Sequence, residues 1–331
     1  MNKLNYVVTR TPLRVSLLGG GTDISYFYKK HNGKVISTTI NKFVYVTVKS
    51  YDKLFGEKYR LNYSKTEHVK INMSDIKNNI IRECLKFLKI KESLNICIST
   101  DIPASSGLGT SSAIIVGLLN ALYVYKGIKV KKSTLAENAC KIEIDILKNP
   151  IGKQDQYNAT YGGFKTYTFL KNDKVLFYNL SSVIIKKIFS KSLFLWVGSF
   201  KESKEILKIQ KNFFNIKKKY YLKLLSIANS FDKLKNKNTF NVKKFAEILD
   251  KNWSIKKKLS DKISNSNIDK LYTFAKKKGA IGGKLLGAGS GGFLFLIFIK
   301  FNKKKLLKIF KNKKVYFFNP FHKGSEVILK I

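Results

Sequence analysis

Glycine-rich segments at three places constrain the fold of this chain more than any other feature of its sequence. The richest is 282–292, where six of eleven residues are glycine, between a predicted helix and an apolar predicted strand. Ordering so many glycines costs much conformational entropy, which is usually offset by close approach of the backbone to a ligand. A hairpin-like connection is the alternative, but it rarely requires so many glycines.

The middle glycine-rich segment, 103–113, has the architecture of a phosphate-binding loop. A strand is predicted before it at 94–99 and an apolar helix after it at 111–125. Glycines let several backbone N–H groups converge on one anion, and the positive end of the helix adds to the attraction. The hydroxyls of Ser111 and Ser112 are placed to reach a phosphate oxygen or a magnesium ion. A tight turn with a helix cap is the alternative, and the segment is not a Walker loop, since no Gly-Lys-Ser/Thr closes it.

The N-terminal segment joins a predicted strand, which carries Arg14, to a Gly-Gly-Gly-Thr-Asp turn that ends at Asp23. A short carboxylate after a glycine turn can accept two hydrogen bonds from a sugar diol. The alternative is that Asp23 only stabilises the turn or caps a helix, and its position alone does not separate the two interpretations.

The chain length predicts two domains that share one cleft, because 331 residues exceed what a single hydrophobic core usually holds. Strand patterns dominate the first half of the chain and helix patterns dominate the second. We place the boundary near residue 185, which gives an N-terminal domain over 1–185 and a C-terminal domain over 186–331.

Alternating or β-branched residues predict strands, and apolar residues three and four apart predict helices. Strands are predicted at 4–18 (interrupted by Pro12), 35–50 (as one strand or two), 94–99, 164–178, 193–199, 293–299, 315–318 and 327–331. Helices are predicted at 74–88, 111–125, 135–147, 202–236, 242–259, 268–278 and 304–311. We expect Ser133 or Thr134 to cap the third helix, and Gly279 to end the sixth.

The net charge of +43 favours nucleic-acid binding at first sight, since 64 lysines and arginines stand against 21 acidic residues. The lysines are spread along the chain in short runs, however, and arginine, the better ligand for phosphates and bases, is scarce. Lysine, asparagine, isoleucine and phenylalanine are enriched together, as A- and T-rich codons would produce. We therefore expect no specific nucleic-acid partner, and only weak binding that salt abolishes.

Nothing in the sequence predicts export or a membrane partner. No run of eighteen apolar residues is present, and the N-terminal residues lack the features of a signal peptide. Cys84, Cys97 and Cys140 have no metal-type spacing and are expected to be buried free thiols, and the three histidines form no zinc motif. These features predict a cytoplasmic protein, and a homodimer remains compatible with them.

The three glycine-rich segments, in this order and at these separations, resemble those of the GHMP kinases, which include galactokinase, homoserine kinase and mevalonate kinase. Residues 103–113 are similar to the family's ATP-phosphate loop, and 284–292 to its C-terminal glycine motif. The resemblance covers nearly the whole chain. It implies an α+β GHMP kinase fold, with a ribosomal-protein-like N-terminal domain that contains a left-handed β-α-β unit, and a ferredoxin-like C-terminal domain.

Residues 143–157, followed by Gly-Gly-Phe at 162–164, resemble more narrowly the D-glycero-D-manno-heptose 7-phosphate kinase branch of this family. The Gly-Gly-Gly-Thr-Asp turn, Trp253 with its lysine-rich helix, Ile-Ser-Asn at 263–265 and Gly-Ser at 324–325 resemble the same branch.

Phosphoryl transfer requires charge neutralisation, an acceptor placed in line and often a base for its proton. The resemblance implies that Asp155 faces the acceptor hydroxyl as this base, and a helix N-cap is the alternative. It places Arg14 beside Asp155, where a cation keeps the carboxylate ionised and stabilises the attacking oxygen; a surface salt bridge is the alternative. Lys153 is a second cation, for the transferring phosphoryl group or for the substrate's own phosphate.

The resemblance also implies ATP and Mg²⁺ sites. The predicted ATP-binding residues are Ser105, Ser106, Gly107, Leu108, Gly109, Thr110, Ser111, Ser112, Gly287 and Gly289. Mg²⁺ is expected at Ser111 and Glu143, because magnesium takes hard oxygen ligands and keeps several waters. Asp145 points about 160° away from Glu143 on a helix of roughly 100° per residue.

The predicted substrate-binding residues are Gly20, Gly21, Thr22, Asp23 and Lys153. Galactokinase carries a Glu-His pair where this chain has Gly20-Gly21, so the loss of both side chains opens the pocket for an acceptor larger than galactose. We therefore expect ATP-dependent phosphorylation of the anomeric hydroxyl of D-glycero-D-manno-heptose 7-phosphate. The product would be the 1,7-bisphosphate, on the route to nucleotide-activated heptose for surface polysaccharide.

Two other functions remain open from the sequence. One is a GHMP kinase that phosphorylates the anomeric position of another sugar, fucose or a hexuronic acid. The other is an inactive sensor with the same fold, against which the intact Arg14, Asp23, Ser111, Glu143 and Asp155 argue. The sequence does not specify the anomer, the nucleotide, the oligomeric state or the cation that binds the substrate phosphate.

Overall fold

The computed structural model describes residues 5–198 and 203–331, which form two β-sheets with packed helices. The strands of the first sheet are β1 (Tyr6–Leu18), β2 (Gly33–Ser50), β3 (Tyr59–Asn62), β4 (Thr66–Val69), β5 (Leu94–Thr100), β6 (Phe164–Phe169), β7 (Val175–Asn179), β12 (Pro320–Phe321) and β13 (Glu326–Lys330). Those of the second are β8 (Ser192–Trp196), β9 (Ala280–Leu285), β10 (Phe293–Phe298) and β11 (Lys314–Tyr316). The helices are α1 (Ser25–His31), α2 (Asn79–Phe87), α3 (Thr110–Tyr125), α4 (Lys132–Cys140), α5 (Gln154–Tyr161), α6 (Ser182–Phe189), α7 (Ser203–Asn212), α8 (Phe214–Ser230), α9 (Val242–Lys257), α10 (Ser266–Lys277) and α11 (Lys303–Ile309).

Two long antiparallel strands, β1 and β2, form the centre of the first sheet. The main strand order is β13-β1-β2-β5-β3-β4, and β6 and β12 also pair with β2. Strands β3 and β5 run parallel, with β4 and α2 between them in the chain, whereas the other pairs are antiparallel. The sheet thus presents the ends of β1 and β5 to the loops that carry the first two glycine-rich segments.

The second sheet confirms the predicted ferredoxin-like domain. Its strand order is β11-β8-β10-β9, and all three pairs are antiparallel. Along the chain the helices α7 to α10 separate β8 from β9, and α11 separates β10 from β11. A β-α-β-β-α-β order with the fourth strand beside the first is the ferredoxin-like arrangement.

The chain returns to the first sheet after it has completed the second. Strand β12 pairs with β2, and β13 pairs with β1. Division of the chain at residue 185 remains our proposal, and the strand pairing adds that residues 320–330 contribute to the sheet of the N-terminal domain.

Helix α3 connects the middle glycine-rich segment to the core. Its sequence, Thr-Ser-Ser-Ala-Ile-Ile-Val-Gly-Leu-Leu-Asn-Ala-Leu-Tyr-Val-Tyr, is apolar beyond its first turn except at Asn120, and nearly all of the helix is buried. A helix that is apolar all round is expected inside the protein. Burial of α3 against β1 and β2 therefore fixes the position of its N-terminus relative to Arg14 on β1.

Several predicted boundaries are wrong in detail. Strand β1 continues through Pro12, with a register shift between Pro12 and Arg14 instead of an interruption. Helix α4 begins after Lys131, so Ser133 and Thr134 lie inside it and do not cap it, and its continuation at Lys141–Ile146 is a π-helical turn. The helix predicted over 202–236 divides into α7 and α8. Residue 4 of one predicted strand, residue 199 of another and residue 202 of this helix lie outside the described residues.

One cysteine differs from the prediction. Cys84 and Cys140 are buried, but Cys97 is exposed. Residues 94, 96 and 98 of β5 face the core, and alternation along a strand therefore turns residue 97 to the other face.

None of the helices in the described part of the chain has both the length and the apolar character needed to span a membrane.

Candidate active site

All three glycine-rich segments border one cavity of about 440 Å³. One wall is formed by Gly20, Gly21 and Asp23, and another by the loop from Ala104 to Ser112. Helices α5, α7 and α9 and the loop at Gly287 contribute further lining residues. Segments far apart in sequence therefore form one site between the two sheets.

The middle and C-terminal glycine loops touch each other through their backbones. A Cβ atom added to Gly107 would lie 2.5 Å from the carbonyl oxygen of Leu286, and one added to Gly287 would lie 2.5 Å from the Cα of Gly107. Both glycines have positive φ, 79° and 75°. No other residue type satisfies both constraints, so this contact explains part of the glycine content of the two segments.

The loop before α3 has unused hydrogen-bonding groups. The hydroxyls of Ser106 and Thr110 are buried, belong to residues that line the cavity, and have no hydrogen-bond partner among the described residues. Buried polar groups are normally paired, so such atoms beside a cavity indicate a missing ligand. The N-terminus of α3 follows at once, where backbone N–H groups lack partners within the helix. This corner of the cavity suits an anion.

Arg14 and Asp155 form a bidentate ion pair at the centre of the site. Arg14 Nε donates to Asp155 Oδ1 at 2.7 Å, and Arg14 Nη2 donates to Asp155 Oδ2 at 2.5 Å. The third nitrogen, Nη1, donates to the carbonyl of Gly107 at 2.5 Å. Both side chains are mostly buried, with exposures of 8% for Arg14 and 19% for Asp155. Asp155 lies in the first turn of α5, whose N-cap is Lys153, so Asp155 does not have the alternative capping role.

Asp23 is buried at the acceptor side of the cavity. Its Oδ1 accepts from the backbone N–H of Gly21 at 3.0 Å and from Gln154 Nε2 at 3.2 Å, and its Oδ2 accepts from the backbone N–H of Gln154 at 3.2 Å. Burial, together with repulsion by Asp155, raises the pKa of Asp23. Asp23 thus stabilises the glycine turn, as the alternative interpretation predicted, and also lines the cavity.

Gly20 leaves space between two polar side chains. A Cβ atom at this position would lie 3.1 Å from Ser16 Oγ and 3.8 Å from Gln154 Nε2. Ser16 Oγ and Gln154 Oε1 are buried without partners among the described residues, and so is Nε2 of Gln210 on α7. All three of these residues line the cavity. The wall around Gly20 therefore offers both donors and acceptors to a polar ligand.

Glu143 is buried behind the N-terminus of α3. It accepts hydrogen bonds from the hydroxyls of Ser111 and Ser112, the latter at 2.6 Å, and from Gln156 Nε2 at 2.7 Å. Burial raises the pKa of this carboxyl group, and the three hydrogen bonds oppose that effect. Asp145, two residues later, is exposed, as the helical spacing predicted.

Ser111 and Glu143 fit a magnesium ion. Both supply oxygen ligands at the cavity surface, and a cation would offset the cost of burying the Glu143 charge. The described residues contain no cluster of three or more histidine, cysteine or acidic side chains arranged for a metal. Phosphate oxygens and water would therefore have to complete the coordination.

Four predicted site residues do not line the cavity. The hydroxyl of Thr22 donates to the carbonyls of Gly19 and Lys34, the Leu108 side chain lies in the core, and Gly289 packs against the backbone of Ile263.

Lys153 is the most consequential of these corrections. Its Nζ donates to the carbonyl oxygen and to Oδ1 of Asp173, at 3.1 and 3.2 Å, and lies over the Tyr28 ring. The ammonium group is thus engaged outside the cavity lining, so we do not retain Lys153 as a phosphate ligand.

The sequence analysis missed several residues of the cavity. Gln154 lines the cavity and donates to Asp23, while Gln156 lies behind the lining and donates to Glu143; the signal for both was the polar stretch in which Asp155 lies. Lys256 on α9 lines the cavity, but it stands in a run of three lysines that resembles many others in the chain. Lys204 on α7 lines the cavity and is exposed.

A larger cavity, of about 760 Å³, lies between α10 and α11. Its lining is mostly apolar, with lysine and asparagine side chains and no carboxylate. The chemistry-bearing residues all border the smaller cavity, so we place the active site there.

The fold and this cavity define a class of α+β proteins in which two glycine-rich loops meet at the edge of one cavity. The model of the GHMP kinases N terminal domain matches residues 79–163, and the model of the GHMP kinases C terminal domain matches residues 232–313. The chain belongs to the GHMP kinase family. Members of this family use ATP, so phosphotransfer from ATP is implied.

Relatives and solved structures agree with this assignment. The D-glycero-alpha-D-manno-heptose 7-phosphate kinase of Campylobacter jejuni is 30% identical over 321 residues, which cover 93% of this chain and 94% of the relative. A mevalonate kinase of Saccharolobus solfataricus is 26% identical, over 88% of this chain and 90% of its own. The crystal structure of a D-glycero-D-manno-heptose 1-phosphate kinase from Bacteroides thetaiotaomicron has a TM-score of 0.78 at 24% identity, covering 97% of this chain and 98% of its own.

Proposed function

We propose that this chain transfers the γ-phosphoryl group of ATP to the anomeric hydroxyl of D-glycero-D-manno-heptose 7-phosphate, giving the 1,7-bisphosphate. One observation carries the proposal. The paired Arg14 and Asp155 lie between the anion-binding loop and the polar wall around Gly20, where a phosphoryl group would pass from donor to acceptor. The similarity to the Campylobacter jejuni heptose 7-phosphate kinase supports the choice of acceptor.

ATP is assigned to the loop from Ser105 to Ser112, with Gly287 facing it. The unpaired hydroxyls of Ser106 and Thr110 and the N-terminus of α3 would bind phosphate oxygens. Ile80 and Ile114 form an apolar part of the same lining, which suits the adenine ring.

Asp155 would accept the proton of the anomeric hydroxyl as its oxygen forms the new bond to phosphorus and the bond to the ADP oxygen breaks. The bidentate contact with Arg14 holds the carboxylate in one orientation. Arg14 also places positive charge beside the attacking oxygen and, through Gly107, connects the base to the phosphate loop.

Ser111 and Glu143 would hold Mg²⁺ against the ATP phosphates. When bound, this ion would neutralise charge on the triphosphate. Gln156 donates a hydrogen bond to Glu143 and would hold this carboxylate in the same orientation with or without the ion.

Ser111→Ala and Glu143→Gln are expected to raise the Mg²⁺ concentration needed for half-maximal activity by roughly 10-fold or more, because each removes an oxygen ligand. The measurement is a Mg²⁺ titration of the rate at saturating ATP and acceptor. Asp145→Asn, an exposed carboxylate on the same segment, is the control and should titrate like the wild type. An unchanged Mg²⁺ dependence in both site variants would place the ion elsewhere.

The acceptor wall suits a polyhydroxylated ligand of considerable length. Ser16, Asp23, Gln154 and Gln210 supply polar atoms, and no side chain at Gly20 or Gly21 narrows the space. Because Lys153 is engaged elsewhere, we assign the acceptor's own phosphate to Lys204, whose side chain lines the cavity on its exposed side.

The test is a steady-state comparison of acceptors by coupled ADP release. Heptose 7-phosphate is expected to exceed free heptose, galactose and fucose in kcat/KM by about 100-fold or more, since charged hydrogen bonds to its phosphate contribute roughly 1.5–3 kcal/mol each. The panel also includes heptose 1-phosphate and mevalonate, because a heptose 1-phosphate kinase and a mevalonate kinase are similar to this chain. Lys204→Ala should reduce the preference for the phosphorylated heptose, and Lys208→Ala, exposed on the same helix, is its control.

Equal or better use of an unphosphorylated sugar would exclude the heptose 7-phosphate assignment and leave a GHMP sugar kinase, with fucose or a hexuronic acid as the next candidates. Binding of ATP without turnover of any acceptor would favour the sensor alternative. Because the proposed reaction consumes ATP and a sugar phosphate, we also propose that the protein acts in the cytoplasm and without a nucleic-acid partner.

A further inference from the structure

Lys256 is a buried cation that the reaction as described above does not use. It lies on α9, its exposure is 7%, and it lines the active-site cavity. Its Nζ donates a hydrogen bond to the carbonyl oxygen of Gly287, in the C-terminal glycine loop. An ammonium group has three donors. Gly287 is the one hydrogen-bond partner of Nζ among the described residues, which leaves donors for a ligand.

Helix α9 connects the acceptor side of the cavity to the phosphate side. Asn252, one helical turn before Lys256, accepts a hydrogen bond from the backbone N–H of Gly19 at 3.2 Å. Residues four apart lie on the same face of a helix. The same face of α9 therefore holds the beginning of the Gly20-Gly21 turn through Asn252 and the Gly287 loop through Lys256.

Lys256 interacts electrostatically with the charged residues of the cavity. Burial, together with the nearby Arg14, lowers the pKa of Lys256 to about 8, and Asp23 and Asp155 act in the opposite direction. The ammonium group is thus within electrostatic reach of both acceptor-side carboxylates and of Arg14. Lys284 on β9 is a further charged group that interacts with Lys256.

Lys284 is a buried lysine in the same region whose hydrogen bonds are structural, and it serves as a comparison for Lys256. Its Nζ donates to the carbonyls of Ser16 and Leu17, at 2.9 and 3.3 Å, and its side chain does not line the cavity. Lys256 has comparable burial but is directed to the cavity.

We propose that Lys256 is a catalytic residue whose ammonium group binds the phosphoryl group as it passes from ATP to the acceptor. This inference rests on the proposed kinase activity but not on the identity of the acceptor. In the step, the acceptor oxygen forms a bond to the γ-phosphorus, the bond from that phosphorus to the ADP oxygen breaks, and the acceptor proton goes to Asp155. Lys256 donates N–H groups to the equatorial phosphoryl oxygens and neither gains nor loses a proton. A fixed cation at this point stabilises charge that the transition state concentrates there.

The experiment compares Lys256→Met, Lys256→Arg and the control Lys251→Met, which alters an exposed lysine on the same helix. Lys256→Met is expected to lower kcat by about 100-fold, in the range found for loss of one electrostatic donor. Lys256→Arg should recover a substantial part of that loss, and Lys251→Met should retain wild-type kinetics.

Nucleotide binding without any acceptor separates this proposal from the proposed function. Lys256→Met should weaken a non-hydrolysable ATP analogue by about 10-fold while ADP, which lacks the γ-phosphoryl group, changes by less than about 2-fold. This binding measurement remains valid if the proposed acceptor is wrong. A wild-type protein that binds no ATP would overturn both the role of Lys256 and the proposed kinase function.

A pH profile provides a measurement that does not require the methionine variant to fold. Because the pKa of Lys256 is lowered to about 8, the wild-type kcat/KM should fall as pH rises through about 8 and the ammonium loses its proton. In Lys256→Arg the fall should move to higher pH, since a guanidinium remains charged.

Two results would overturn the proposal. Equal weakening of ADP and the ATP analogue, with a lower melting temperature and an unchanged pH profile in Lys256→Arg, would make Lys256 a structural residue. A defect confined to KM for phosphorylated acceptors, with wild-type kcat, would assign it to the acceptor's own phosphate.

Discussion

Replacement of Asp155 by asparagine is expected to lower kcat about 100-fold or more while ADP affinity stays within a few-fold of wild type. Asparagine has nearly the same shape but cannot accept the acceptor's proton, and a lost general base typically costs this much. The surrounding loop should persist, because Arg14 keeps its hydrogen bond to the Gly107 carbonyl. Rapid-quench or coupled kinetics together with ADP titration would measure the two effects.

Asp173→Asn is the matched control, since Asp173 is an ion-paired carboxylate outside the cavity lining. It should leave kcat unchanged. Turnover of Asp155→Asn at the wild-type rate would show that positioning and charge neutralisation suffice, and that Asp155 is not the base.

Gly109→Val is expected to abolish nucleotide binding. Gly109 has a φ of 78° and is the N-cap of α3, and a Cβ atom there would lie 3.2 Å from Arg14 Cγ and 3.3 Å from Asp155 Oδ2. A branched side chain would therefore strain the backbone, block the anion site and displace the central ion pair. Equilibrium binding of ADP and ATP would measure the loss.

Gly279→Val separates loss of the site from general destabilisation. Gly279 also has positive φ, 100°, but no atom lies within 4 Å of its added Cβ. Both variants should lose about 1–2 kcal/mol of stability from the backbone conformation, and only Gly109→Val should lose nucleotide affinity. If Gly109→Val binds nucleotide as the wild type does, the phosphates lie elsewhere.

The sequence predicted the elements whose patterns are long and strongly apolar. Helix α3 and strand β10 were placed to within a residue or two, because no competing structure can bury such runs. Strands β3, β4, β9 and β12 were missed because they are short and carry no continuous apolar pattern. Their conformation depends on pairing with distant strands, which periodicity along the chain does not report.

The candidate site likewise contains residues that the sequence could single out and residues that it could not. Arg14, Asp155 and Glu143 could be singled out because each stands in a segment that resembles a motif of the GHMP kinases, and Asp155 also lies in a polar stretch that otherwise lacks acids. Individual lysines could not be singled out as site residues, because lysines occur along nearly the whole sequence. Lys153 binds Asp173, whereas Lys256 lines the cavity. Both outcomes depend on how tertiary packing orients α5 and α9.

Strand β13 has a consequence for how this protein is made on the ribosome. It covers the edge of β1, so during translation that edge stays unpaired until residues 326–330 have been synthesised. Until then β1 presents unpaired N–H and C=O groups, which can pair with other nascent chains. The nucleotide loop is also incomplete at first, because Gly107 packs against Gly287, which is synthesised much later. A nascent chain therefore cannot complete this site until residue 287 has been synthesised and has packed against Gly107.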